Sequence, residues 1–164
     1  MLEIEDYRYL YTKGNILIII NKNMHKIDNY KHKISMTVRF SDLDAMGHVN
    51  NAAYLSYLEE ARIGYFNDIL NYSKNNLAFG AVIARIEIDY ISQIKLGDEV
   101  EVYTRCLKIG NKSSDLDNLI VIKKDRQNII ASHSITKLVA FDYSLGTSVV
   151  IPNEIKEIIR EYEK

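Results

Sequence analysis

One long stretch of helical periodicity stands in this chain, and nearly everything after it is patterned for strands. In residues 51–70, Tyr54, Leu58, Ala61, Tyr65 and Ile69 recur at spacings of three or four and line one apolar stripe. From Gly80 onward the period drops to two. Ile86, Ile88 and Tyr90 alternate with Arg85, Glu87 and Asp89, as in a strand with one wet face. Residues 99–109, 114–123 and 128–141 read as further strands, set apart by turn signals at Gly97-Asp98, Gly110-Asn111 and 124–127. Residues 34–40 supply a strand ahead of the helix, and Pro152 precedes a short amphipathic helix from Asn153 to about Glu163. The long stripe must be buried, and the apolar face of the sheet is the only large partner available. The expected fold is α+β, a curved antiparallel sheet wrapped around one long helix.

The chain has 164 residues, 47 % apolar and 26 % charged, enough for one domain with a real core. Residues 34–164 are expected to form that domain and residues 1–33 an N-terminal extension. Within the extension, 7–11 and 15–21 read as two strands joined across Lys13-Gly14, and 22–33 as a polar linker. A net charge of −1 gives no broad basic surface for nucleic acid or an anionic membrane. The longest apolar run, Ile16 to Ile20, is too short to span a bilayer, and the acidic start is unlike a signal peptide, so a cytoplasmic location is expected. The single cysteine, Cys106, excludes an internal disulfide and reads as a packed thiol in a strand. His25, His32, His48 and His133 show no close ligand spacing, so neither a metal nor another cofactor is expected.

The residues that carry chemistry lie between the first strand and the helix. There Asp42, Asp44, Gly47, His48, Asn50 and Asn51 crowd one helix start. Each alone has a plain structural reading, as a turn residue, a cap or a polar loop position. Together they are parts for acyl transfer to water. Backbone N–H groups of a first helical turn lack intrahelical partners and can polarise a carbonyl oxygen. A carboxylate beside them can attack that carbonyl or activate a water, and an imidazole can share the proton. The G-x-S-x-G setting of a serine nucleophile and the phosphate loop G-x-x-x-x-G-K-[ST] are both missing.

The run Arg39-Phe40-Ser41-Asp42-Leu43-Asp44-Ala45-Met46-Gly47-His48-Val49-Asn50-Asn51, then Tyr54-Leu55 and Glu59-Glu60-Ala61-Arg62, resembles the hotdog-fold acyl-CoA thioesterases of the 4-hydroxybenzoyl-CoA type. It is especially similar to the branch reading D-x-D-x-x-G-H-V-N-N, whose motif also resembles that of plant acyl-ACP thioesterases. Residues 86–90 and 96–100 look like the strands that follow in that family. The resemblance implies a hotdog domain working as a homodimer, or as a tetramer of two such dimers, with the site at the subunit interface. It implies Asp44 as the catalytic carboxylate, Asn51 as the donor of a backbone N–H to the thioester oxygen, and His48 as its proton or orienting partner. Gly47, Asn50, Tyr54 and Glu59 are the implied substrate-contacting positions; Glu59 ranks below Asp44 because the Asp44 position is already filled, and an ion pair with Arg62 accounts for Glu59 at least as well. Asp42 is implied to be structural. Met46 departs from the plant enzymes, which carry an asparagine there.

The implied substrate is an acyl-CoA or an acyl carrier protein thioester, with water as the second reactant. Arg105, Lys108, Lys112 and Lys123 are candidates to meet CoA phosphates. Asp115 to Asn118 is unexpectedly acidic for a strand start and reads as a bulge or rim. Two rivals stand beside hydrolysis: a non-hydrolytic module that holds an acyl group, which the presence of Asp44 argues against, and a hydratase or dehydratase, which the motif order argues against.

Overall fold

The computed structural model describes residues 8–12, 15–19, 26–71, 80–124 and 127–164. Two short antiparallel strands open it, β1 (Arg8–Thr12) and β2 (Asn15–Ile19). Then come β3 (His32–Thr37), the long helix α1 (Asn51–Leu70), and strands β4 (Gly80–Tyr90), β5 (Glu99–Ile109), β6 (Ser113–Lys124) and β7 (Gln127–Asp142). A two-residue strand β8 (Thr147–Ser148) and the helix α2 (Asn153–Glu163) end the chain. The main sheet is antiparallel throughout, in the order β3-β5-β6-β7-β4, with β8 paired to the end of β7. The strands that flank α1 in sequence therefore lie at opposite edges of the sheet, and the helix crosses between them.

That crossing buries the stripe. Tyr54, Tyr57, Leu58 and Ala61 of α1 pack on Met36, Val100, Val102, Ile120, Ile122 and Ala131 of the sheet. Tyr65 continues the same face onto Leu116 and Leu138, with Ile69 half-buried beside them. The buried face is wider than the expected stripe because the sheet curls around the helix, and Tyr57 is drawn fully inside. Gly64 lets α1 approach β3: a Cβ there would stand 3.2 Å from Ile34 Cγ2.

The other face of the sheet is covered as well. Tyr30 packs edge-on against Tyr103, ring centroids 6.3 Å apart, beside the fully buried Leu119 and Val121. The stretch 22–33, expected as a polar linker, thus holds a short 3-10 turn at Ile27–Asn29, a buried tyrosine and the first two residues of β3, as far as it is described. The acidic start of β6 has a similar explanation. Asp115 meets Lys137 Nζ at 2.5 Å, and Asp117 takes Arg105 Nε and a terminal nitrogen at 2.9 and 2.7 Å and His133 Nε2 at 2.9 Å. The expected bulge exists, but it lies in β5, between Cys106 and Lys108 opposite Asp115 and Leu116.

Candidate active site

After β3 the chain turns through a short 3-10 segment, Phe40–Asp42, that buries an acid. Asp42 is only 6 % exposed. Its carboxylate accepts hydrogen bonds from the Arg39 backbone N–H (2.9 Å), from Arg39 Nε (3.2 Å) and from the Tyr57 hydroxyl (2.8 Å). Burial alone would raise its pKa, but the Arg39 and Tyr57 donors outweigh it and hold the carboxyl below the usual range. Its carbonyl accepts the Asn50 N–H at 2.8 Å, tying the turn to the helix cap.

Leu43 and Val49 then pair as an antiparallel bridge and close the neck of a tight loop, residues 44–48. Inside it the Asp44 N–H donates to the His48 carbonyl (2.8 Å), and the Gly47 N–H to the Asp44 carbonyl (3.1 Å). Gly47 has φ +76°, the left-handed region that glycine enters without strain. The Asp44 carboxylate is oriented by its own loop: Oδ1 accepts the N–H of Met46 at 2.8 Å and of His48 at 3.2 Å. Oδ2 takes no hydrogen bond among the described residues. The Val49 N–H donates to Ile94 O (2.8 Å) and His48 pairs with Lys95, so the loop is stitched to the connection between β4 and β5.

Asn50 caps α1, its side-chain oxygen accepting the Ala52 N–H at 2.8 Å while its carbonyl accepts the Ala53 N–H at 2.9 Å. The Asn51 N–H is left without a partner among the described residues. The Asn51 carbonyl accepts the Tyr90 hydroxyl (3.2 Å), and Tyr90 packs edge-on against Tyr54, centroids 5.0 Å apart. Tyr54 is buried and donates to Ser92 O at 3.3 Å. A groove of about 420 Å³ runs beside this first turn, lined by Ser41, Leu43, Asn50, Ala53 and Ser56 among others.

The structure therefore brings Asp44, Gly47, His48, Asn50 and Asn51 into one loop-and-helix junction, with Tyr54 beneath it. Asp44 and His48 meet through the His48 main-chain N–H, and no hydrogen bond joins the imidazole to the carboxylate among the described residues. The Asn50 side chain is committed to its cap. Glu59 stands two turns along α1, exposed, with Arg62 3.2 Å away. Arg105 leaves the list of phosphate candidates, since Asp117 holds it and the Tyr30 ring covers it at 4.7 Å. Lys112 Nζ donates to Ser148 O at 2.9 Å, and Lys123 lies 3.6 Å from Glu101. Two residues of the junction have no role assigned from the sequence: Tyr57, and Arg39, which opens the motif run. The signal for Tyr57 was weak: it lies three positions after Tyr54 and four before Ala61, inside the apolar stripe.

A buried acid fixing the loop, a carboxylate with one oxygen held and one open, and an N–H at a helix start without a partner among the described residues are the parts that attack on a carbonyl requires. Residues 38–159 match the thioesterase-like superfamily, and the chain belongs to that family. Its curled antiparallel sheet around one helix is the family's hotdog fold. A crystal structure of a thioesterase from Thermus thermophilus, in complex with coenzyme A and zinc, superposes with a TM-score of 0.72 at 35 % identity, covering 83 % of this chain and 97 % of that one. The long-chain acyl-CoA thioesterase FadM of Escherichia coli (strain K12) is 29 % identical over 130 residues, 77 % of this chain and 96 % of FadM. The uncharacterized protein YsmA of Bacillus subtilis (strain 168) is 36 % identical over 84 residues, which span 51 % of this chain and 56 % of that protein. Among the described residues no three His, Cys, Asp or Glu side chains converge in a way that could hold a metal ion, and no helix is long and apolar enough to cross a membrane.

Proposed function

We propose that the protein hydrolyses acyl-CoA thioesters to a carboxylic acid and free CoA, with Asp44 as the reacting carboxylate. The observation that carries this is the pairing at one junction of an Asp44 Oδ2 left open and an Asn51 N–H left unbonded, while Met46 and His48 hold Oδ1. The thioester oxygen accepts the Asn51 N–H, which stabilises the negative charge that develops as the carbonyl carbon is attacked. Asp44 either takes a proton from water, so that hydroxide adds to the carbon, or adds itself and forms an anhydride that water then opens. In both routes the C–S bond breaks and the CoA thiolate leaves and is protonated. His48, at the mouth of the loop, is the group suited to exchange that proton with solvent.

The working unit is a homodimer. β4 pairs with β7 on one side and with no other strand among the described residues, and its Ile83 and Tyr90 are exposed. Such an edge is suited to pairing with a second copy. The experiment is thiol release from purified protein, with straight-chain acyl-CoAs of increasing length, aromatic acyl-CoAs and an acyl carrier protein thioester in separate arms. Hydrolysis of an acyl-CoA that disappears in Asp44→Asn is the expected result. Tight acyl-CoA binding without any turnover would replace this reading with that of an acyl-binding module.

A further inference from the structure

We propose that Tyr57 is a positioning residue for the reaction: its hydroxyl, acting through Asp42, fixes the Asp44 loop against the first turn of α1. The inference rests on the reading of Asp44 and the Asn51 N–H given above, and it explains how the two are kept in register. Asp42 ties the loop to the helix at two separate heights. Its carbonyl accepts the N–H of Asn50, the helix cap, and its carboxylate accepts the hydroxyl of Tyr57, seven positions further on. At the rise of an α-helix the Cα atoms of Asn50 and Tyr57 stand about 10 Å apart along the axis, and the Tyr57 side chain reaches back toward the helix start to meet the carboxylate. The cap bond and the links of Val49 and His48 to the connection between β4 and β5 hold the far side of the loop, and the Tyr57 bond holds its near side, where the carboxylate of Asp42 sits. Asp44 lies only two residues beyond Asp42, so a pivot at Asp42 moves its carboxylate relative to the Asn51 N–H.

The strut is stiff at both ends. Tyr57 is fully buried in the core between α1 and the sheet, so its ring cannot swing. The Asp42 carboxylate is also clamped by the Arg39 backbone and guanidinium. A hydroxyl donating to an ionised carboxylate is a strong, charge-assisted bond. The same helix carries an internal control. Tyr65, also fully buried, donates to the Glu163 carboxylate at 2.5 Å, but at the other end of α1, away from the Asp44 loop.

The test compares Tyr57→Phe with Tyr65→Phe, each of which removes one oxygen and keeps the ring. Thermal unfolding and steady-state hydrolysis are measured on the acyl-CoA that the wild type turns over fastest, with Asp44→Asn and Asp42→Asn alongside. Misplacing a reacting group by about 1 Å can cost up to about 100-fold. Tyr57→Phe is expected to lower kcat about tenfold with KM within about twofold, as a lost alignment rather than a lost binding contact would do. Asp42→Asn is expected to lower kcat in the same direction, and Tyr65→Phe to leave kcat unchanged while lowering the unfolding temperature. An unchanged kcat in Tyr57→Phe overturns the inference, as does an equal fall in both tyrosine variants, which would mean general loosening. If Asp44→Asn retains full turnover, the reading of Asp44 falls and this inference falls with it; Asp44→Asn inactive with Tyr57→Phe fully active defeats the inference alone. Should Tyr57→Phe fail to fold, the kcat of Asp42→Asn decides.

Discussion

The two ends of α1 make the same bond to different effect. At each, a buried tyrosine reaches out of the helix to a carboxylate: Tyr57 to Asp42 near the start, Tyr65 to Glu163 near the finish. At the finish the carboxylate comes from α2, and the same oxygen also accepts the Cys106 N–H at 2.7 Å. Tyr65 is ringed edge-on by Phe66, Tyr162 and His32. Burial, with Glu163 close by, pushes the Cys106 thiol up to about 12, so it stays protonated and inert. At the start the carboxylate belongs to a loop that leaves chemistry open: an Asn51 N–H without a partner among the described residues, an unbonded Asp44 oxygen, and a side chain, Met46, that is 78 % exposed. One end closes the fold and the other presents it. The bond is alike; what the carboxylate is attached to sets its use.

The contrast breaks first at Asp44. Asp44→Asn keeps the acceptor oxygen for the Met46 and His48 N–H groups, so the loop should survive while the reacting charge is lost. Hydrolysis of acyl-CoA should fall by about 1,000-fold, in the range seen when one essential charge-stabilising or proton-transferring group is removed. The unfolding temperature should stay close to that of the wild type. A comparable rate in the variant would move the chemistry away from this end of the helix. At the other end the effect should be one of stability alone. Glu163→Ala strands the Tyr65 hydroxyl and the Cys106 N–H, which should cost about 1–3 kcal/mol in urea unfolding with kcat per folded molecule unchanged. A matching loss of kcat would mean that the two ends are coupled.

The sequence and the structure agree where the information is local. The bounds of α1 follow from its stripe and from Asn50, whose side chain does cap it, and the strand bounds follow from period-two alternation between turn residues. The crowding of Asp44, Gly47, His48 and the asparagines was legible because a tight loop and a helix cap are themselves short-range structures. Tyr57 was not, since its partner lies fifteen positions back and only folding of the turn onto the helix brings them together. Tyr30 looked like a polar-linker residue because its cover, Tyr103 and Arg105, comes from a strand more than seventy positions away. Asp115 and Asp117 looked misplaced until the register set Lys137, Arg105 and His133 across from them.

A smaller effect sharpens the cap. Asn50→Ala removes the acceptor for the Ala52 N–H and should lower stability by about 1 kcal/mol. The freed N–H stands one residue from that of Asn51, so the variant should lose stability while keeping most of its turnover, measured as kcat on the same acyl-CoA. A loss of turnover beyond about tenfold would show that the Asn50 side chain itself meets the substrate.

The smallest effect is a pH dependence at the finishing end. His32 is 3 % exposed, beneath Gly64 and edge-on to Tyr65. Burial disfavours its charged form and lowers its pKa from the ordinary 6.5, even though Asp68 at 3.3 Å and the more distant Glu163 pull the other way. The sign follows from proton counting. Below about pH 6.5 the unfolded chain protonates this imidazole while the folded chain does not, so the unfolded state binds more protons. The stability contributed by the neutral ring is complete above that pH and is lost as pH falls toward the depressed folded value. The measurement is a difference, which cancels the titration of every other group: unfolding temperature from pH 7.5 to 5 for the wild type and for His32→Phe, which keeps an aromatic edge against Tyr65. The wild type should lose more stability than the variant across that window, and parallel curves would mean that Asp68 compensates the buried charge in full. The pH profile of kcat should be the same for both proteins, because His32 belongs to the end of the helix that closes the fold.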